Sequence, residues 1–82
     1  GDDAIRQLVR QGYQSAKSYN LTSEPGITAY IGLVFMLGSG FDRDPQYPWA
    51  DAVLNDAALT DPIKKGELLY KSAMAHLEKW LA

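Results

Sequence analysis

The chain has no cysteine, a single histidine, and no apolar stretch longer than the twelve residues from Ile27 to Gly38. Each shortage excludes something. Without cysteine there is no disulfide framework and no thiol chemistry, and the redox compartment stays open. With His76 alone and no cysteine, a zinc site of the usual kind has no ligand set. Twelve apolar residues are too few to cross a bilayer, which needs roughly 20. No membrane span is therefore expected. Low-complexity tracts and internal repeats are also missing, and the net charge is only −2. That slight acidity argues against general nucleic-acid binding. No signal peptide is visible, and a cytoplasmic setting is expected. The chain opens at Gly1 without methionine, which reads as a tag remnant, with an upstream signal or domain cut away.

The 82 residues make one helical domain, 1–82. A chain of this size buries only about 60% of its unfolded surface, so two cores are excluded. Its organising stretch is Ile27-Thr28-Ala29-Tyr30-Ile31-Gly32-Leu33-Val34-Phe35-Met36-Leu37-Gly38. Apolar side chains point in nearly every direction around it. A helix that is apolar all round should be covered all round. It therefore reads as a central buried helix, with Ile31, Val34, Phe35 and, on the last helix, Leu69 almost fully buried.

The other segments follow from spacing and punctuation. Asp3 to Tyr19 places Ile5, Leu8, Val9, Gly12, Tyr13, Ala16 and Tyr19 at helical intervals. Arg6, Arg10 and Lys17 fall on its far side. Asn20 favours a left-handed stop. Leu21-Thr22-Ser23-Glu24-Pro25 reads as a helix start, with Thr22 or Ser23 as cap, Pro25 in the first turn and Leu21 as staple. Gly38-Ser39-Gly40 ends the central helix. A short helix is predicted from about Pro48 to Asn55. Thr60-Asp61-Pro62 repeats the starting chemistry for a last helix over 61–81. The fold class is all-α: a compact bundle of four helices, the third short.

Candidate chemistry is sparse. Asp42 and Asp44 match positions 1 and 3 of a calcium loop, but Tyr47 then replaces the glycine at position 6 and Val53 the glutamate at position 12. No metal and no cofactor are expected. The serines lie in no nucleophile-elbow pattern, and the glycines form neither a Walker loop nor a dinucleotide fingerprint. An enzyme is not expected. Arg6, Arg10 and Lys17 share a helix face, yet Asp42, Asp44, Asp51, Asp56 and Asp61 oppose phosphate attraction.

What remains is protein binding. Two tryptophans, five tyrosines and two phenylalanines exceed what so small a core needs. Tyr13, Phe41, Tyr47, Trp49 and Trp80 are the rings expected to reach solvent. The loop Phe41 to Trp49 carries three of them and is stiffened by Pro45 and Pro48. Aromatic anchors inside a charged rim have the anatomy of a binding patch. The predicted docking edge is Phe41, Asp42, Asp44, Tyr47 and Trp49, facing a partner of basic character. The competing reading buries these rings as a plug for the end of the bundle.

The order of signals is itself informative: Tyr19-Asn20-Leu21-Thr22-Ser23-Glu24, Tyr30 to Gly38, Phe41-Asp42-Arg43-Asp44-Pro45, Tyr47-Pro48-Trp49-Ala50, and Val53-Leu54-Asn55-Asp56. From Tyr19 to Leu81 it resembles small helical accessory proteins or domains encoded near bacterial type VI secretion effectors. That resemblance implies an adaptor or chaperone-like role, with an effector or secretion component as the protein partner, and transfers no site residue. Two other readings stay open: a structural helical subdomain of a larger protein, and a small regulatory nucleic-acid binder.

Overall fold

A computed structural model of the protein describes residues 1–81. It contains four helices: α1 (Asp2–Ser18), α2 (Glu24–Leu37), α3 (Pro48–Leu54) and α4 (Pro62–Leu81), with a single 3-10 turn at Phe41–Arg43 between α2 and α3. No strand occurs among the described residues. The all-α bundle with a short third helix is as the spacing predicts. α1 starts and stops one residue earlier than its apolar periodicity implies.

The punctuation works chemically. Asn20 takes φ 65°, the left-handed stop after α1. The Leu21 amide then donates back to the Ala16 carbonyl at 2.9 Å. Ser23 is the N-cap of α2, its hydroxyl accepting from the Gly26 amide at 3.2 Å. Leu21, just before the cap, is fully buried. Gly38 leaves α2 at φ 101°, a conformation that side chains avoid. At the head of α4 the Asp61 carboxylate accepts from the Ile63 amide at 2.9 Å.

α1 and α4 both pack on α2 and do not approach each other among the described residues. The 3-10 turn covers the inner side of α2, and α3 covers the inner side of α4. The core lies between these two layers: Ala16, Leu21, Tyr30, Leu33, Val34, Phe41, Ala50, Val53, Leu54, Leu69 and Ala73. The molecule is a slab, 35 × 32 × 21 Å.

This arrangement corrects the expectation that α2 is covered all round. Its inner face (Gly26, Tyr30, Leu33, Val34) is buried, but among the described residues nothing covers Thr28, Phe35 and Met36, which are exposed. Phe35 is 51% exposed and Ile31 only half-buried, so of the four predicted core residues Val34 and Leu69 alone are buried. The physical reason is the short third helix. With two turns, α3 can roof one side of the layer only.

Candidate functional site

The loop after α2 is built inward. Phe41 is 1% exposed, its ring 5.0 Å from that of Tyr30. Tyr30 in turn lies 6.1 Å from Tyr19. The Tyr19 hydroxyl donates to Asp42 Oδ2 at 2.6 Å, closing the loop onto α1. Burial and the Asp42 carboxylate both push the Tyr19 hydroxyl above its ordinary pKa. Burial does the same, much more strongly, to Tyr30. Asp44 accepts from the Gln46 amide at 2.9 Å, and Asp51 from the Asn55 side chain at 2.6 Å.

These contacts redistribute the predicted docking edge. Phe41 is a core residue and not an exposed anchor, because the positive-φ turn at Gly38 sends the chain back under α2. Asp42 and Asp44 are only partly exposed and hold the loop's own geometry. Tyr47 and Trp49 are half-buried and stay at the surface.

Their neighbours come from α4. Tyr47 meets His76 edge-on, 87° between planes and 5.2 Å between centroids. Trp49 lies 5.6 Å from His76 and 6.1 Å from Tyr47. One helical turn beyond His76, Trp80 donates its indole N–H to His76 Nε2 at 3.2 Å. Trp80 itself is 77% exposed. The Trp49 indole nitrogen is buried without an acceptor, which costs about 1–3 kcal/mol. Pairing in space of Tyr47 and Trp49 with His76 and Trp80 was not visible in the sequence. The i, i+4 spacing of His76 and Trp80 was its one local signal.

Among the described residues the one side-chain hydrogen bond to His76 comes from Trp80. Among the described residues no group of three His, Asp or Glu could hold a metal. Tyr47 and Trp80 meet the imidazole edge-on and Trp49 lies tilted against it, an amphipathic surface of the kind that dominates protein interfaces.

A second surface was missed altogether. On the outer side, α2 and α4 diverge from their crossing and leave a groove of about 670 Å³ lined by Pro25, Gly26, Ala29, Ile63, Gly66 and Tyr70, with Glu24, Glu67 and Lys71 at its rim.

Comparison with family models, with curated proteins and with solved structures returns no match.

Proposed function

We propose that this domain is a protein–protein interaction module whose docking edge is Tyr47, Trp49, His76 and Trp80. The observation that carries the reading is Trp80: a large indole lying mostly in solvent, yet tethered to His76 and backed by two further rings. Leaving such a ring in water is unfavourable. Holding it in one rotamer lowers the entropy lost on binding. Asp42 and Asp44 act in this reading as struts for the loop that carries Tyr47 and Trp49. The adaptor role and the bacterial secretion setting rest on the sequence resemblance alone.

Site-specific photo-crosslinking in cells tests the proposal. A crosslinking residue at Lys79, exposed beside Trp80, is expected to trap a discrete protein adduct, while one at Ala57, on the exposed α3–α4 connection, traps none. Equal labelling from position 57, or no adduct from position 79, contradicts it. If the bound species is nucleic acid, capture weakens steeply with salt; protein capture through aromatic rings does not.

A second reading, a structural helical subdomain of a larger protein with no separate partner, is favoured by the uncovered apolar side of α2.

A further inference from the structure

Gly12 of α1 sits against Ile31 and Val34 of α2, and a Cβ there would lie 3.1 Å from the Ile31 side chain. Past the end of α1, Tyr19 ties the chain to Asp42 at 2.6 Å. Apart from that tie, α1 itself makes no contact with the 3-10 turn among the described residues. A cleft of about 350 Å³ is left beside the helix. Buried Tyr30 and Val34 form its floor, Leu8, Gln11 and Ser15 its α1 wall, and Ser39 reaches it from the loop after α2.

Tyr30 is the unusual member. It is only 1% exposed, yet among the described residues no hydrogen bond ends on its hydroxyl. Among those residues the Trp49 indole nitrogen is the one fully covered side-chain polar atom without a partner. The small exposure of Tyr30 therefore lies at its oxygen, and the cleft is the opening through which that oxygen is reached. The Ser15 hydroxyl stands beside it and lines the same cleft. Burial holds the Tyr30 hydroxyl far above its ordinary pKa, and Asp42 adds to this, so it stays a donor at any working pH. A buried donor left without an acceptor is costly. An oxygen placed in the cleft removes that cost.

The rest of the lining selects the ligand. Its polar groups are the hydroxyls of Ser15, Tyr30 and Ser39 and the primary amides of Gln11 and Gln14. Each hydroxyl both donates and accepts, and so does each amide. No Lys, Arg, Asp or Glu lines the cleft. An anion would meet no cation there, and would face the Asp42 carboxylate behind Tyr30, offset only in part by Arg43. An ammonium group would find no carboxylate on the wall. A nucleobase needs a ring face to stack on, but the one ring at the cleft is Tyr30, already packed by Phe41 and Tyr19 at 5.0 and 6.1 Å. Leu8, Gly12 and Val34 offer a small apolar patch for C–H groups. The volume is at the low end of ligand sites, which run from about 300 to 1,000 Å³. We propose that this cleft binds a small uncharged polyol, one sugar ring in size, with one of its oxygens accepting from Tyr30 and its other hydroxyls bonding Ser15 and the two glutamine amides.

The test is a titration of the isotope-labelled chain with glucose, galactose, mannose and N-acetylglucosamine, followed by backbone amide chemical shifts. At least one of these sugars is expected to shift the amides of Gln11, Gly12 and Ser15 saturably. Glucuronate and a hexose phosphate are expected to leave them in place. Tyr30→Phe keeps the ring and removes the donor, and is expected to weaken binding about tenfold, the worth of one hydrogen bond. Gln11→Ala with Gln14→Ala alters only exposed positions on α1 and is expected to weaken it as much. Thermal melts confirm folding, and the glutamine pair decides if Tyr30→Phe does not fold. The absence of a saturable shift with all four sugars overturns the proposal. So does equal binding of the charged analogues, or wild-type affinity in the folded variants. None of these residues belongs to the Trp80 edge, so crosslinking from position 79 stands or fails separately.

Discussion

Gly26 and Gly66 bring α2 and α4 into backbone contact. A Cβ on Gly66 would lie 2.8 Å from the Gly26 Cα, a separation that real side chains do not adopt. Gly66→Ala must therefore push the two helices apart. Overpacking of this kind costs about 1–3 kcal/mol, and the gain in helix propensity, roughly 1 kcal/mol, offsets only part of it. Gly32 is the contrasting case, since nothing lies within 4 Å of a Cβ placed there. Gly32→Ala is expected to raise the melting temperature of the monomer, and Gly66→Ala to lower it. A Gly66→Ala protein that melts as high as Gly32→Ala would place the helix crossing elsewhere.

Phe35 and Phe41 exchange the roles that the sequence assigns them. Phe41 opens the 3-10 turn and is buried against the Tyr30 ring. Phe41→Ala is expected to cost about 3–5 kcal/mol, most of what a domain this small has. Phe35→Ala removes a ring that is already half in water and is expected to cost about 1 kcal/mol or less, judged by area. Urea midpoints of the two variants measure the difference.

The helices themselves were legible. Caps, prolines and the residues before them set α2 and α4, and the periodicity of Leu8, Gly12 and Ala16 set the inward face of α1. Which face of α2 is buried was not. Apolar residues at Tyr30, Phe35 and Met36 look alike in a helix that is apolar all round. Only the positions of α1 and α4, fixed by Gly12 and Gly66, choose between them. The docking edge was half legible. Tyr47 and Trp49 were named for their stiff loop, and Trp80 for its excess as an aromatic. Their meeting at His76 depends on α3 packing against α4, a contact between distant parts of the chain. Phe41 was misassigned because no local signal shows that the loop folds under α2.

Tyr30 makes the fold sensitive to alkali. Its hydroxyl is held far above the ordinary tyrosine value of 10.0 by burial, and Asp42 adds to that. Tyr19 shifts the same way. Both are raised in the folded state, so below the unfolded-state value both states hold the proton and stability is unaffected. Above it the unfolded chain loses its proton first, and stability falls as pH climbs. The melting temperature is expected to be level up to about pH 9 and to drop beyond about pH 10. Tyr30→Phe is expected to flatten that drop. A variant that falls as steeply as the wild type would show that other groups control the alkaline limb.

Trp80 is where the functional account is most exposed to refutation. The most direct measurement is the affinity of the partner trapped from position 79, for wild type and Trp80→Ala, alongside the melting temperature of each. Because Trp80 packs mainly on His76 and is 77% exposed, its loss is expected to leave the melt within a few degrees. A central aromatic anchor is expected to weaken binding by roughly 2 kcal/mol or more, some thirtyfold. A Trp80→Ala protein that binds as tightly as wild type would contradict the assignment of this edge as the docking surface.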